Sequence, residues 1–237
     1  MNIKAQIPNP ITLLNLFCGC IALVFAFHSD FEKAFAFVSL GIFFDFFDGF
    51  FARLFKVSSP LGLQLDSLAD MVTSGVVPGI VMYQMMINGS GWSSPYIPFF
   101  GFIVTIGSCY RLANFNVDIR QTDSFIGLPT PANALFILSL PLVKKYSTTF
   151  IINEALTDHG ILLFITLLSA YILNAEIPLF SLKIKKFNFV DNKIQIVFLG
   201  ISVLMLIALK LLAVPLVIVC YVLLSVVNNK IKKNGSV

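Results

Sequence analysis

The sequence predicts an all-α polytopic membrane protein. Of its 237 residues, 57% are hydrophobic and 12% are charged, and the mean hydropathy is +0.90. Soluble domains carry roughly 25% charged residues, so this chain has about half the charge that covers a globular surface. Apolar runs of about 20 residues, the length that crosses a bilayer, recur along the chain. These observations exclude a soluble enzyme, a disordered tail and a nucleic-acid-binding module, and they favour one integral membrane domain over residues 1–237.

About eight transmembrane helices are expected from the apolar runs. They lie at roughly 10–27, 32–55, 61–88, 95–117, 130–146, 160–175, 194–210 and 212–229. The first begins at Asn9-Pro10, a capping residue followed by proline at the first helical position. A cleaved signal peptide is the alternative for this run, but no small-residue cleavage site precedes the next apolar segment. Pro131, Asn133 and Pro141 interrupt the fifth span, which is therefore the weakest of the eight.

The distribution of basic residues predicts the orientation. With a cytoplasmic N-terminus, twelve basic residues lie on the inner side: Lys4, Arg53, Lys56, Arg111, Arg120, Lys183, Lys185, Lys186, Lys193, Lys230, Lys232 and Lys233. Four lie on the outer side: Lys33, Lys144, Lys145 and Lys210. Cytoplasmic loops carry an excess of Lys and Arg, so both termini are expected in the cytoplasm. Without the fifth span, the 183–193 loop and the C-terminal lysines would move outside, which favours eight spans.

Cysteine and histidine do not predict a metal site. The four cysteines lie within apolar stretches and have neither disulfide nor zinc-ligand spacing: Cys18, Cys20, Cys109 and Cys220. His28 and His159 stand at the ends of apolar segments, where an interfacial position is expected.

Aspartates are concentrated in the second and third spans. Asp45 and Asp48 are three residues apart and share a helix face, as do Asp66 and Asp70 at a spacing of four. A carboxylate within a membrane costs roughly 2.5–3.5 kcal/mol, so four of them are expected to gather around cations or water. Four oxygen donors without a histidine or thiolate cluster favour Mg²⁺ or Mn²⁺.

Ion pairing between helices is the alternative for these acids. Arg53 and Lys56 are the nearby bases, but two bases cannot neutralise four acids. Arg53, just over one turn beyond Asp48, is also placed to reach a phosphate.

The spacing of these residues carries a family resemblance. The string Asp45-x2-Asp48-Gly49-x2-Ala52-Arg53-x8-Gly62-x3-Asp66-x3-Asp70 resembles, at every fixed position, the signature of the CDP-alcohol phosphotransferase family. The resemblance implies a six-helix catalytic core over about residues 1–175, with the motif at 45–70. It also implies transfer of a phosphatidyl or similar group from a CDP-linked donor to an alcohol, with release of CMP.

The same resemblance implies roles for the signature residues. The first three aspartates would hold two divalent cations, while Asp70 would help to bind metal and act as the base on the acceptor hydroxyl. The nucleotide and diphosphate site would be lined by Gly49, Ala52, Arg53 and Gly62.

Three further strings resemble the phosphatidylserine synthase branch of that family. They are Asn9-Pro10-Ile11-Thr12-Leu13-Leu14-Asn15, Arg111-Leu112-Ala113-Asn114-Phe115-Asn116, and Gly127-Leu128-Pro129-Thr130-Pro131-Ala132. The resemblance implies that Thr12 and Asn15 belong to the CDP-diacylglycerol site. It implies an acceptor and phosphate region at Arg111, Asn114, Asn116, Pro129 and Pro131. Asn114 stands where that branch more often has a basic residue, and residues 127–131 also suit a turn entering the fifth span. Two additional spans at about 194–229 suit the same branch.

The expected reaction is therefore transfer of the phosphatidyl group from CDP-diacylglycerol to L-serine. A homodimer in the cytoplasmic membrane, with an active site facing the cytoplasm, is implied by resemblance. Within the family, phosphatidylglycerophosphate or phosphatidylinositol-phosphate synthesis is the alternative. A cation transporter would spread its acids along a pathway and show related halves. A prenyltransferase would carry two separated aspartate clusters, whereas these four acids lie within 26 residues.

Overall fold

A computed structural model describes residues 8–57, 59–118, 125–180 and 192–234, without the side chains of Phe125, Lys193 and residues 231–234. Ten α-helices are formed in these ranges: α1 (Pro8–Phe27), α2 (Phe31–Phe55), α3 (Pro60–Asp70), α4 (Val77–Ile87), α5 (Ile103–Val117), α6 (Thr130–Tyr146), α7 (Phe150–Ala155), α8 (His159–Asn174), α9 (Lys193–Leu209) and α10 (Ala213–Asn234). Two short strands, β1 (Phe125–Ile126) and β2 (Pro178–Leu179), pair antiparallel. The predicted all-α class is confirmed. Five basic residues used for the orientation lie outside the described ranges: Lys4, Arg120, Lys183, Lys185 and Lys186.

Four helical stretches of the described chain are long and apolar enough to cross a membrane: Pro8–Phe27, Phe31–Phe55, Pro60–Ile87 and Ile194–Lys230. The third is continuous because a π-helical segment, Met71–Val76, joins α3 to α4. The fourth bends at Lys210, where φ is +52°. Phe198 lies before the bend and Tyr221 after it, and the centroids of their rings are 5.5 Å apart. Helices α9 and α10 therefore form a hairpin. The polytopic membrane class is confirmed, while the count of eight spans stays a prediction.

The starts of the first and fourth predicted spans differ from the helices, whereas the fifth span matches α6 at both ends. The first helix begins at Pro8, two residues before the expected start. The expected span at 95–117 begins as a 3₁₀ segment, Ile97–Phe102, that leads into α5. The fifth span forms one helix through Pro141, which is buried in α6. The short helix α7 was not expected from the sequence, since its six residues are too few to cross a bilayer.

A tight turn places the two aspartate-bearing helices side by side. Lys56 follows the end of α2 with φ +52°, and the Val57 amide donates to the Ala52 carbonyl at 2.9 Å. Helix α3 begins with Pro60 at its first position, and the Ser59 hydroxyl accepts from the Gly62 amide at 2.9 Å. Both ends are thus capped locally, which fits the gap of five residues between the spans expected at 32–55 and 61–88.

Helix α1 packs along α2 and against α3, the π-helical segment and α4. Two glycines allow this close approach. A Cβ at Gly19 would lie 2.3 Å from the Thr73 hydroxyl oxygen, and one at Gly41 would lie 2.8 Å from Asn15 Oδ1. Small residues at helix contacts let membrane helices meet backbone to backbone. The polar side chains of α1 therefore reach into the space between α2 and α3.

His159 is buried rather than interfacial. Its Nδ1 accepts from the Trp92 amide at 3.0 Å, and its Nε2 lies 2.9 Å from the Met86 carbonyl oxygen. Because Nδ1 accepts, Nε2 carries the hydrogen and donates to Met86. The imidazole joins the end of α4 to the start of α8, and it has no role as a metal ligand in this arrangement.

Candidate active site

Three of the four predicted aspartates meet. Carboxylate oxygens of Asp45, Asp48 and Asp66 all lie within 4.8 Å of one another. Asp48 is buried, and the other two are half-buried. The aspartate-bearing faces of α2 and α3 are turned toward each other, as the sequence indicated. The cluster is a set of oxygen donors of the kind that hard divalent cations prefer.

Asp70 lies outside this three-carboxylate group in the described part of the chain. It is buried at the end of α3, one turn beyond Asp66. The side-chain amide of Asn15 donates to Asp70 Oδ1 at 3.0 Å. The Asn15 amide therefore orients one oxygen of the fourth aspartate.

Thr12 contacts the cluster itself. Its hydroxyl lies 2.5 Å from Asp48 Oδ2, to which it donates, and 3.2 Å from the Pro8 carbonyl. Thr12 and Asn15 are three residues apart and share one face of α1. The resemblance implied that both belong to the donor-lipid site, which stays a prediction, and the structure shows each hydrogen-bonded to an aspartate. Two polar residues on one face of an otherwise apolar helix predict that this face contacts other polar groups.

A cavity of about 220 Å³ opens beside the aspartates. It is lined by six residues singled out from the sequence: Thr12, Asp48, Gly49, Ala52, Gly62 and Asp66. Five further lining residues were given no site role from the sequence: Pro8, Asn9, Val57, Ser59 and Leu63. Gly62 helps to keep the space open, since a Cβ there would lie 3.1 Å from Ser59 Oγ and 3.4 Å from Asn9 Oδ1.

Arg53 is exposed and folds back one turn along α2. A Cβ at Gly49 would lie 3.5 Å from Arg53 Nη1, so the guanidinium stands near the cavity although it is not part of the lining. Within the described ranges, none of the four aspartates forms an ion pair with Arg53 or Lys56. The alternative of helix-joining ion pairs is therefore not seen among these described residues.

The donor set fits a divalent metal. Three carboxylates lie within 4.8 Å of one another without an ion-pairing partner among the described residues. Such a group in a membrane protein is costly unless a cation neutralises it. Asp45, Asp48 and Asp66 could hold the ion, with Asp70 one turn away. The ion's identity stays a prediction.

The predicted acceptor residues on α5 differ in their surroundings. Thr105 Oγ1 donates to the Gly75 carbonyl at 3.0 Å, and Asn116 Nδ2 donates to Ser67 Oγ at 2.8 Å. This antiparallel register places Arg111 about level with residues 70–72. Arg111 is buried, with its guanidinium carbon 5.3 Å from the ring centroid of Phe115.

Asn114, by contrast, is exposed. Of the three acceptor residues predicted on α5, Arg111 and Asn116 thus pack toward the bundle, beside the helix that carries Asp66 and Asp70.

Residues 127–131 form the turn that enters α6. Gly127 has φ +78°, and a Cβ there would lie 2.4 Å from the Leu173 carbonyl oxygen. The Leu128 amide donates to the Ile172 carbonyl at 3.0 Å, so the turn is tied to the end of α8. Pro129 precedes the helix, and neither it nor Pro131 is among the lining residues of the aspartate cavity. Their acceptor role stays a prediction.

The fold and the aspartate signature agree with the class found by comparison. The sequence matches the CDP-alcohol phosphatidyltransferase family over residues 5–172, and the chain belongs to this family. It is therefore an integral membrane transferase from a family that is generally dependent on divalent metal.

Similar proteins of known name indicate which kind of transferase within the family this chain resembles. The chain is 34% identical over 138 residues to the CDP-diacylglycerol–serine O-phosphatidyltransferase of Bacillus subtilis, covering 56% of this chain and 74% of the relative. It is 32% identical over 178 residues to the protein of the same name from Helicobacter pylori, covering 73% and 72%. The like-named protein of Methanocaldococcus jannaschii is 31% identical over 141 residues, covering 59% and 63%.

Proposed function

We propose that the protein transfers the phosphatidyl group of CDP-diacylglycerol to L-serine, giving phosphatidylserine and CMP. The observation that carries the proposal is the meeting of three carboxylates beside a cavity lined by small residues. The choice of serine rests on the relatives, which are named for that acceptor in two bacteria and an archaeon.

The donor site is proposed at the cavity. Its lining comes from the start of α1, the end of α2 and the start of α3, so it lies at one end of the membrane helices. A lipid bound there can keep both acyl chains in the bilayer while its cytidine stays in water. Gly49, Ala52 and Gly62 leave room for the nucleotide and diphosphate. Arg53 would contact a phosphate through its fork of donors.

Divalent metal is proposed at the aspartates. Asp45, Asp48, Asp66 and Asp70 would hold two ions, Mg²⁺ or Mn²⁺, as the oxygen donors favour. Bound ions there would neutralise the charge that builds on the diphosphate and the leaving nucleotide.

Asp70 is proposed as the base. The serine hydroxyl oxygen attacks the phosphorus of the phosphatidyl group, the bond from that phosphorus to the CMP oxygen breaks, and CMP leaves. The hydroxyl proton passes to Asp70. Asn15 engages Oδ1 of this carboxylate, which leaves Oδ2 to accept the proton. Arg111, at the level of Asp70, would contact the acceptor or a phosphate.

The orientation and assembly are part of the same proposal. Both termini and the aspartate end of the bundle would face the cytoplasm, where CDP-linked lipid and serine meet. A homodimer is proposed from the family resemblance.

An acceptor screen tests this function. Purified enzyme with labelled CDP-diacylglycerol receives serine, glycerol 3-phosphate or inositol phosphate, each with Mg²⁺ or Mn²⁺. We expect labelled phosphatidylserine with serine and little product with the others. Faster product formation with another acceptor would contradict the serine assignment and leave the family reaction intact. Excess EDTA should abolish turnover. Full turnover by enzyme verified to be free of metal would contradict the proposed metal site.

A further inference from the structure

A second cavity lies at the other end of the helix bundle. Its volume is about 670 Å³, and it is enclosed by the turn between α1 and α2, the end of α4 and the end of α6. The lining mixes apolar side chains, such as Phe31 and Leu142, with charged ones. A site of this composition suits an amphipathic ligand.

The helices separate this cavity from the aspartates. Glu32 lines the second cavity and Asp48 the first, and at 1.5 Å per residue the 16 residues of α2 between them span about 24 Å. Along Pro60–Ile87, Asp66 and Met85 are likewise about 28 Å apart. Because a bilayer core is about 30 Å thick, the two cavities open toward opposite membrane surfaces.

The acids around the second cavity already have basic partners. Lys33 Nζ lies 2.7 Å from Asp30 Oδ2, and Lys145 Nζ lies 2.6 Å from Glu32 Oε1. The hydrogen bond from Lys33 lowers the pKa of Asp30 below its ordinary value, so this acid is ionised at neutral pH. The Tyr146 hydroxyl also donates to Glu32.

One base remains. Lys144 lines the cavity, is half-buried, and forms no ion pair with any residue in the described ranges. Asp30 is paired with Lys33, which lies outside the lining, and Glu32 is paired with Lys145, so in the described part of the chain Lys144 is the one charged lining residue without an opposite charge beside it. A position in the last turn of α6 lets Lys144 complement the helix dipole, but that interaction needs no cavity.

We infer that this cavity binds the headgroup phosphate of a membrane phospholipid, with the Lys144 ammonium as its contact. The apolar part of the lining would receive the glycerol and the first carbons of the acyl chains. The site is separate from the catalytic cavity and does not depend on the proposed reaction.

Lipid titration of the purified full-length enzyme tests the inference. Phosphatidylglycerol is added to the protein in detergent, and bound lipid is measured by native mass spectrometry together with the lipid-induced rise in Tm. We expect Lys144→Gln to weaken phosphatidylglycerol binding about tenfold, which corresponds to about 1.4 kcal/mol. Lys144→Arg should retain binding, since the charge is kept.

Lys210→Gln is the matched control. It removes the same charge at an exposed position between α9 and α10 that does not line the cavity. We expect it to bind phosphatidylglycerol like the unaltered protein, and we expect Lys144→Gln to keep its turnover in detergent, which reports a folded enzyme. Equal losses in the two glutamine variants, or no loss in Lys144→Gln, would overturn the site. Inorganic phosphate that competes at the same concentration as the lipid would overturn the lipid assignment.

Discussion

The side-chain amide of Asn15 donates a 3.0 Å hydrogen bond to Asp70, which lies 55 positions away in the sequence. Asn15 has no exposed surface, and Gly41 of α2 leaves the space that its side chain occupies. One turn earlier, Thr12 makes the corresponding contact with Asp48. Helix α1 thus orients two carboxylates that belong to the signature on α2 and α3.

Asn15→Ala should reduce turnover by about tenfold to a hundredfold. A hydrogen bond to a charged group contributes about 1.5–3 kcal/mol, and Asp70 would lose its orientation with that bond. The effect should appear in kcat, with KM for serine little changed. Asn153→Ala, in α7 at the other end of the bundle, is the control. Unchanged kcat in Asn15→Ala would remove Asn15 as a positioning residue.

Asp70→Asn and Asp48→Asn should separate chemistry from binding. The Asp70 amide keeps its size but cannot accept a proton, and loss of a positioned base costs about 10²–10⁴-fold in rate. Donor affinity should be much less affected. Asp48→Asn should impair metal and CDP-diacylglycerol binding together, because this residue lies in the three-carboxylate group.

The measurements for this pair are donor affinity and turnover at saturating serine and metal. Near-normal turnover by Asp70→Asn would show that the hydroxyl proton leaves through water or another group.

Gly127→Ala should lower the Tm by about 2–12 °C. The substitution puts a side chain at φ +78° and a Cβ 2.4 Å from a backbone oxygen, which costs about 1–3 kcal/mol. Gly200→Ala is the control, because its Cβ would meet nothing within 4 Å and alanine favours the helix. Thermal unfolding in detergent measures both. Equal Tm values for the two variants would contradict the packing of this turn.

Cysteine labelling should place the C-terminus in the cytoplasm. With the four native cysteines replaced, Lys230→Cys should react with an impermeant reagent only after the cells are opened. Thr148→Cys, between α6 and α7, should react in intact cells, because the basic residues predict opposite sides for these positions. Labelling of Lys230→Cys from outside would contradict the eight-span orientation.

Much of the site follows from local helix geometry. The spacing of Asp45 and Asp48 on α2 and the position of Asp66 on α3 were sufficient to predict that these carboxylates meet. A turn between two capped helix ends leaves few ways to arrange them. The apolar composition likewise predicted the all-α membrane class, because a bilayer leaves backbone groups no partner except those within a helix.

Other features depend on contacts between distant parts of the chain. The sequence placed His159 at an interface, whereas the structure buries its ring between the ends of α4 and α8. It left residues 127–131 open between an acceptor role and a turn entering the fifth span, and the structure ties that turn to the end of α8. Neither partner is within a helical turn of the residue concerned, so periodicity carries no information about them.

The sequence by itself therefore determined the membrane class, the aspartate signature and the faces on which its residues lie, because these depend on apolar composition and on the 3.6-residue helical repeat. Only the tertiary structure decided that Asn15 donates to Asp70, that Asp70 is not one of the three carboxylates that meet, and that Lys144 lines a second cavity. Those relationships depend on how helices rotate and approach one another. The distance between two helices depends on the side-chain volumes where they touch, as at Gly19 and Gly41. Which residues touch is known only from the packed structure.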